Sequence, residues 1–191
     1  MFTVVSYYTD SFYEQLAEGL RRSCEALDLK NDIERVDDSG SRLRNLHYKV
    51  PFLRRKMAEH EGSDLLWIDA DSIVLSPPQL LLEDGDYDLA ATFWQEWFCY
   101  SATLFLRNNA ASRALLDLWE EENTRRSHLL DDQNLTSVLL TKPAIRILRL
   151  PFEYAWTERW LRGKEYPYRP VILHLEISRR EKSDLAQRSP A

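Results

Sequence analysis

The chain has 191 residues, a length that fits one domain with a substantial hydrophobic core. Hydrophobic residues make up 44% of it and charged residues 29%, so a fibrous or disordered chain is excluded. The net charge of −6 argues against a dedicated nucleic-acid-binding protein but allows a local basic face. Two cysteines without metal-ligand spacing, no secretory signal and no apolar run of membrane-spanning length predict a soluble cytoplasmic protein.

The first half of the chain alternates predicted strands and helices. Residues 2–8 are β-branched and aromatic and predict a strand, and apolar residues at helical spacing within 12–27 predict a helix. A short strand at 33–36, an amphipathic helix at 46–57 and a buried strand at 65–68 follow. This alternation predicts an α/β protein with parallel early strands, whose carboxyl ends, and any ligand site, share one edge of the sheet.

The second half predicts a less regular order of elements. In sequence they are strands at 87–93 and 100–106, a helix capped by Asn108-Asn109, a helix starting at Asp131-Asp132-Gln133, and late strands at 145–150 and 171–175. No repeat or linker divides the chain. We therefore predict one domain, residues 1–182, followed by a polar tail, residues 183–191.

Two aspartates, Asp69 and Asp71, follow the apolar run 65–68 with only one residue between them. Two carboxylates at the end of a buried strand are costly unless they are compensated, and a divalent cation with oxygen ligands would compensate them. Two further Asp-x-Asp triplets lie within 84–88, in a polar turn that contains glycine, and we interpret them as a solvated loop. The buried strand before them singles out Asp69 and Asp71.

Several motifs recur in the same order in a known class of enzymes. They are Tyr7-Tyr8-Thr9, Lys49 with Phe52-Leu53, Leu66-Trp67-Ile68-Asp69-Ala70-Asp71, the segment 101–108, Trp119, Asp132-Gln133 and Val171-Ile172-Leu173-His174. This ordered set resembles GT-A fold nucleotide-sugar glycosyltransferases, in particular retaining, family-8-like members, over almost the whole chain to about residue 182. The resemblance implies a Rossmann-like, mostly parallel central sheet flanked by helices in a single domain.

The resemblance also implies a metal site. In such enzymes the Asp-x-Asp motif holds Mn²⁺ or Mg²⁺, which bridges the two phosphates of the sugar nucleotide. Asp71 would be the stronger ligand, and Asp69 would bind the metal or the ribose. His174, at the end of a late apolar strand, is similar to the third ligand of this class; taken alone, it would be a hydrogen-bonded histidine at a strand end.

Residues for the nucleotide follow from the same resemblance. The nucleoside would be held by Tyr7, Tyr8 and Thr9. Lys49 would lie near the nucleotide or its phosphates; the alternative is one more exposed lysine on the basic face of its helix. Arg179 and Arg180, in a stretch where basic residues outnumber acidic ones, suit the diphosphate.

Residues for the sugar are implied at Asp132 and Gln133. In several retaining members this pair faces the sugar and the anomeric carbon, where an acid binds hydroxyls and stabilises oxocarbenium-like charge. Asp131 is interpreted as no more than the helix N-cap. Many relatives carry Ser-Gly where this chain has Ser101-Ala102, so the resemblance does not identify the donor sugar.

The implied activity is a metal-dependent transfer of a hexose from a nucleoside-diphosphate sugar, with UDP as the expected nucleotide, to an acceptor hydroxyl with retention. The acceptor would be a glycan, a lipid-linked sugar, a protein or a hydroxymethylated DNA base, with segments 94–98 and 154–168 as candidates to bind it. Two alternatives stay open: a non-catalytic nucleotide-sugar-binding module on a degenerate GT-A fold, and a metal-dependent phosphohydrolase, which would commonly need a second metal.

Overall fold

The structure, a computed structural model, describes residues 1–141, 145–157 and 169–175. The predicted boundary at residue 182 and the tail 183–191 lie outside these residues. The helices are α1 (Ser11–Glu25), α2 (Arg42–His47), α3 (Lys49–Glu59), α4 (Gln79–Leu82), α5 (Ala110–Arg125) and α6 (Asp131–Thr141). The strands are β1 (Phe2–Tyr8), β2 (Asn31–Arg35), β3 (Asp64–Ile68), β4 (Ser72–Val74), β5 (Leu89–Trp94), β6 (Phe98–Leu106), β7 (Ile147–Leu150), β8 (Trp156–Thr157) and β9 (Ile172–His174), with a 3₁₀ turn at Phe152–Tyr154.

Six of the described strands form the central sheet, in the order β2-β1-β3-β6-β5-β7. β1 pairs in parallel with β2 and β3, and β5 pairs in parallel with β7, while β6 runs antiparallel to both of its neighbours. The prediction of a mostly parallel sheet is confirmed. Because β1, β3 and β5 run in the same direction, their last residues, Tyr8, Ile68 and Trp94, lie at one edge, called here the carboxyl edge. The amino ends of the same strands form the opposite edge.

Helices cover both faces of the sheet. On one face Ala17, Leu20 and Cys24 of α1 pack in a core with Val4 and Leu66 of the strands. The other face belongs to α3, α5 and α6, whose fully buried residues include Leu53, Trp119 and Leu135. Side chains of β1 and β3 alternate between the two cores, as the two-residue period of a strand requires. No helix of the described part is long and apolar enough to span a membrane.

Short polar side chains fix where two of the helices begin. The Asp10 carboxylate accepts hydrogen bonds from Phe12 N and Tyr13 N, both at 2.9 Å, at the start of α1. Asn109 does the same for α5, accepting from Ser112 N at 3.0 Å. Each such cap is worth about 1 kcal/mol, because it satisfies backbone donors that have no partner inside the helix.

Two local predictions are wrong, and one helix is longer than its apolar pattern indicates. The amphipathic stretch before β3 forms two helices, α2 and α3, because the chain turns at Tyr48. Helix α5 extends to Arg125, beyond the point where its sequence becomes polar, since the buried Glu122 pairs with Arg125 and Arg126. Asp88 is not part of a solvated loop: it is buried, 2.7 Å from Arg146 Nη2. The other two acids of that segment, Asp84 and Asp86, are exposed as predicted.

Candidate functional site

Strand β6 is irregular where it passes the carboxyl edge. Its pairing with β5 leaves Thr92 alone opposite residues 100–103, so several extra residues of β6 bulge out of the ladder. Bulges re-aim side chains and are frequent beside active sites. Here the bulge directs Ser101 towards α3 and α6, and Thr103 towards β9.

Lys49, the first residue of α3, is the centre of a buried charge network. Its side chain is 2% exposed, and its Nζ lies 2.8 Å from Asp131 Oδ2 and 3.4 Å from Asp69 Oδ1. The Ser101 hydroxyl accepts from Lys49 at 3.0 Å and donates to Asp131 at 2.8 Å. Burial lowers the pKa of Lys49, but the charges of Asp131 and Asp69 raise it more, so the ammonium stays protonated. The interpretation of Lys49 as an exposed surface lysine is therefore wrong.

Asp69 is held at the end of β3 by three contacts. Its N–H donates to Ala102 O at 2.9 Å, and its Oδ1 accepts from Trp67 Nε1 at 2.9 Å in addition to facing Lys49. Burial raises the pKa of the Asp69 carboxyl, and the Lys49 ammonium opposes that shift. One third of the side chain, 33%, is nevertheless exposed, so the carboxylate is both positioned and accessible.

Asp71 and His174 are brought together by the second sheet, in which β9 is the middle strand and pairs with β4 on one side and β8 on the other. His174 lies opposite Ser72, and Leu175 N donates to Asp71 O at 2.8 Å. The two imidazole nitrogens of His174 are each engaged by a hydroxyl: Nδ1 lies 2.8 Å from Ser72 Oγ and Nε2 lies 2.9 Å from Thr103 Oγ1. Burial lowers the pKa of His174 to about 3, and the Lys49 charge adds to the shift, so the ring is neutral.

The predicted metal ligands fit a divalent cation in their chemistry, with one rearrangement. Two carboxylates and a neutral imidazole are donors that Mn²⁺ accepts, and the neutral ring is the form that binds metals. His174 must release one hydroxyl partner to bind. The ligand atoms of Asp69, Asp71 and His174 are not gathered within 4.8 Å of one another, since the one set of three that meets this distance in the described part of the chain is Asp32, Glu59 and His60.

That other set is not a metal site. Lys56 Nζ lies 2.7 Å from both Asp32 Oδ2 and Glu59 Oε2, and His60 Nε2 lies 2.8 Å from the same Asp32 oxygen. A lysine ammonium therefore already provides the positive charge that a cation would bring. The cluster also lies at the opposite edge of the sheet, near the start of β2.

Asp132 and Gln133, the predicted sugar-binding pair, differ in their surroundings. Asp132 Oδ1 is buried and has no hydrogen-bond partner in the described part of the protein. Burial, followed by the charge of Asp131, raises the pKa of Asp132 to about 6. The exposed Gln133 instead turns back along its helix, where its Oε1 accepts from Leu130 N at 3.0 Å. Asp132 thus offers a carboxylate oxygen for a ligand hydroxyl, whereas Gln133 caps the start of α6.

The residues predicted to hold the nucleoside lie at the carboxyl edge, at the end of β1. The Tyr7 ring packs against Trp67 at 5.2 Å between centroids, and its hydroxyl donates to Asn45 O. Burial, with the charges of Asp131 and Asp69, raises the pKa of Tyr7. Tyr8 closes the strand and Thr9 follows it, both partly exposed. Arg179 and Arg180, predicted to bind the diphosphate, lie outside the described residues.

Sequence reasoning missed several functional candidates. Asp131 does not serve as an N-cap: it belongs to α6 and is the buried carboxylate that faces Lys49. Its backbone carbonyl also accepts from Trp119 Nε1 at 2.9 Å, which ties α5 to the start of α6. The hydroxyls of Ser72 and Thr103 orient His174. The signal for Asp131 was its adjacency to Asp132, because two neighbouring acids at a helix start exceed what one cap needs.

Fold and site together define a class of protein: an α/β sheet of GT-A type with carboxylates and a neutral histidine at its carboxyl edge. No family model matches the chain, and no curated protein matches it in sequence. Solved structures do match. A glycosyltransferase involved in the glycosylation of the major capsid of PBCV-1 superimposes with a TM-score of 0.67 at 10% identity, over 96% of this chain and 98% of the other.

Two further similar structures are glycosyltransferases as well. GlyE of Streptococcus pneumoniae TIGR4 has a TM-score of 0.62 and 15% identity over 91% of this chain, which spans 54% of GlyE. The galactosyltransferase LgtC, solved with donor and acceptor sugar analogs, has a TM-score of 0.59 and 12% identity, over 91% of this chain and 86% of LgtC. At these identities the likeness shows the fold, and the GT-A prediction is confirmed.

Proposed function

We propose that the protein is a metal-dependent glycosyltransferase that moves a hexose from a nucleoside-diphosphate sugar, with UDP as the expected nucleotide, to an acceptor hydroxyl with retention. The observation that carries the proposal is the charge network at the carboxyl edge, where Lys49 holds Asp69 and Asp131 beside Asp132. Buried charge of this kind costs free energy and is typical of sites built for a reaction. The three solved structures described above, which share the fold, are glycosyltransferases.

Asp71 and His174 would hold Mn²⁺ or Mg²⁺, with Asp69 as a further ligand or as a partner of the ribose. When bound, the cation would neutralise charge that develops on the departing diphosphate. The chain's own part is to keep His174 neutral and Asp69 fixed. Ser72 and Thr103 hold the imidazole between them, and Trp67 and Ala102 fix the carboxylate and the backbone of Asp69.

Asp132 would bind a hydroxyl of the donor sugar and stabilise positive charge near the anomeric carbon. Its buried oxygen, which no described residue hydrogen-bonds, and its raised pKa both support this role. Gln133 would contribute to sugar binding only after leaving Leu130 N. Tyr7, Tyr8 and Thr9 would line the nucleoside side of the site, and Arg179 and Arg180 would contact the diphosphate. The acceptor would be a glycan, a lipid-linked sugar, a protein or a hydroxymethylated DNA base.

The two alternatives make different predictions. A metal-dependent phosphohydrolase would release inorganic phosphate and would use a second metal, yet Lys56 already fills the one compact set of three ligands in the described part of the chain. A non-catalytic module would bind the donor without consuming it. Asp132 Oδ1 has no hydrogen-bond partner in the described ranges, and this favours the transferase, because a buried carboxylate oxygen is costly unless it has a role in the reaction.

The test is donor binding and donor hydrolysis with UDP-glucose and UDP-galactose in the presence of Mn²⁺. We expect metal-dependent binding and slow hydrolysis to UDP and free sugar, both lost when the metal is chelated. Asp71→Ala should lower hydrolysis by roughly 100-fold to 1,000-fold, the usual cost of removing one electrostatic group from an active site. Asp84→Ala, in the exposed look-alike triplet, is the matched control and should change nothing.

Absence of both binding and hydrolysis with the two donors would contradict the proposal. Equal activity of Asp71→Ala and the wild type would leave the transferase in place but disprove the assignment of its metal site. Binding without hydrolysis or transfer would favour the non-catalytic module.

A further inference from the structure

The turn between β5 and β6 exposes two tryptophans at the carboxyl edge. Trp94 is 40% exposed and Trp97 is 51% exposed, and the two residues between them, Gln95 and Glu96, are exposed as well. Large indoles in water are unfavourable, and clustered exposed aromatics usually mark a contact surface. We call these four residues, 94–97, the tryptophan turn.

The backbone of the tryptophan turn has a conformation that is unfavourable for the residues it contains. Trp97 N donates to Trp94 O at 3.2 Å, and both central residues have positive φ, 49° at Gln95 and 67° at Glu96. Such a turn strongly prefers Asn-Gly, because residues with longer side chains are strained at positive φ. Gln95 and Glu96 therefore cost free energy at these two positions, and strain of this kind is frequent at functional sites.

The tryptophan turn is nevertheless built as a fixed surface. Trp94 packs edge-on against Phe152 at 5.9 Å between centroids, and Trp97 against Phe98 at 5.7 Å. Arg149 donates to Glu96 O at 2.6 Å while its guanidinium stacks on a neighbouring ring of β5. Edge-on contacts at the base hold the indoles in place while leaving much of their surface exposed.

The position of the tryptophan turn connects it to the candidate site. Trp97 lies four residues before Ser101, which bonds Lys49 and Asp131, so their backbones are at most about 14 Å apart. A few linked sugar units would span that distance. Among the described residues, the charges beside the indoles are one carboxylate, Glu96, and one guanidinium, Arg149, which give a phosphodiester backbone no net attraction there.

We propose that the tryptophan turn binds the pyranose rings of a carbohydrate acceptor, at a subsite away from the reacting hydroxyl. Sugar rings present flat C–H faces that stack on indole, and their hydroxyls suit Gln95 and Glu96. The inference rests on the proposed function, since it names the acceptor class of that same site. It selects a glycan over a protein or a DNA base among the acceptors considered above.

The first test follows the indole N–H signals of the tryptophans by NMR while cellobiose, lactose and maltose are added. The signals of Trp94 and Trp97 should shift, and Trp97→Ala should weaken binding of the active disaccharide by about tenfold or more, as for a typical aromatic anchor. Leu140→Ala, at an apolar residue of α6 that is even more exposed than Trp97, is the control and should bind as the wild type does.

The second test replaces the turn and keeps both tryptophans. Gln95→Asn with Glu96→Gly should preserve or raise the melting temperature, because Asn-Gly suits a turn of this geometry. It should still weaken disaccharide binding at least severalfold. A variant that is more stable and binds equally well would show that these two side chains are not part of the subsite.

The outcomes separate this inference from the proposed function. Donor hydrolysis without any indole shift from the three disaccharides would overturn the carbohydrate subsite and leave the transferase intact. Disaccharide binding without donor binding would support the carbohydrate subsite and contradict the proposed transferase. Indole shifts caused by duplex DNA instead of sugars, or a dimer that Trp97→Ala dissociates, would also overturn the subsite.

Discussion

The two lysines of α3, Lys49 and Lys56, have the same chemistry and opposite surroundings. They are seven residues apart, so they lie on one face of the helix, about 10 Å from each other along its axis. Both ammonium groups are almost fully buried and both contact acids. Lys49 points to the carboxyl edge and faces Asp131, which is also buried, whereas the acids around Lys56 at the opposite edge remain partly in water.

This difference distinguishes Lys49, whose charge belongs to the candidate functional site, from Lys56, whose charge has a structural role. Between Lys49 and Asp131 no solvent screens the attraction, so removing either partner leaves a bare buried charge. Around Lys56, water compensates most of what a mutation would remove. The same contrast explains the shifted groups beside Lys49. Burial raises the pKa of Asp132 and lowers that of His174, because each ionised form is poorly solvated at this edge.

The largest expected effect is that of Lys49→Met. Methionine keeps the volume but leaves the Asp131 carboxylate buried without a cation, so we expect a loss of about 3–5 kcal/mol in the free energy of unfolding, measured by urea denaturation. The double variant Lys49→Met/Asp131→Leu should recover most of the lost free energy of unfolding, since neither charge of the pair is then buried without its partner. If Lys49→Met alone were neutral, the buried network would not exist as described.

A smaller effect is expected on the pH dependence of donor hydrolysis. Asp132 must be ionised to stabilise positive charge, and its pKa is about 6, so kcat/KM should fall about tenfold per pH unit below pH 6. Asp132→Asn should be slow at all pH values and should lack this acidic limb. A wild-type profile that stays flat down to pH 4.5 would contradict the role of Asp132.

The same group affects stability with a defined sign. Because the pKa of Asp132 is raised on folding, the folded chain binds the proton more tightly, and the free energy of unfolding should fall as pH rises from about 4 through 6. The control is again Asp132→Asn, whose stability should depend less on pH across this range.

The smallest effect is expected for Lys56→Met. Its acids stay partly solvated, so the loss should be about 1 kcal/mol or less and should shrink further in 0.5 M salt. Donor binding should not change, because the cluster lies at the opposite edge. A loss as large as that of Lys49→Met would remove the distinction between the two lysines.

Much of the fold was predictable because it is encoded locally. β1 was predicted with its observed bounds, since its β-branched and aromatic run ends at a polar turn. The start of α5 followed from Asn109, whose side chain forms the predicted cap. The split between α2 and α3 was missed, because the two helices share a continuous amphipathic pattern and only the turn at Tyr48 divides them.

The candidate site was predictable only in part. The position of Asp69 and Asp71 after a buried strand is a local feature and was correct. The role of Asp131 was missed, because its partner Lys49 is on another helix. The sequence near either residue gives no indication that the two are in contact. The bulge that directs Ser101 and Thr103 to opposite sides has no signal in the sequence, which reads as an ordinary strand.

The sequence by itself determined the order of strands and helices and the place where two carboxylates end a strand, because periodicity and turn chemistry act between near neighbours. The tertiary structure decided which charged groups are in contact with each other. It buried Lys49 against Asp131, set His174 between two hydroxyls and left one Asp132 oxygen without a hydrogen-bond partner among the described residues. Solvation is the reason: the pKa of each group depends on the atoms that replace water around it, and those atoms come from distant parts of the chain.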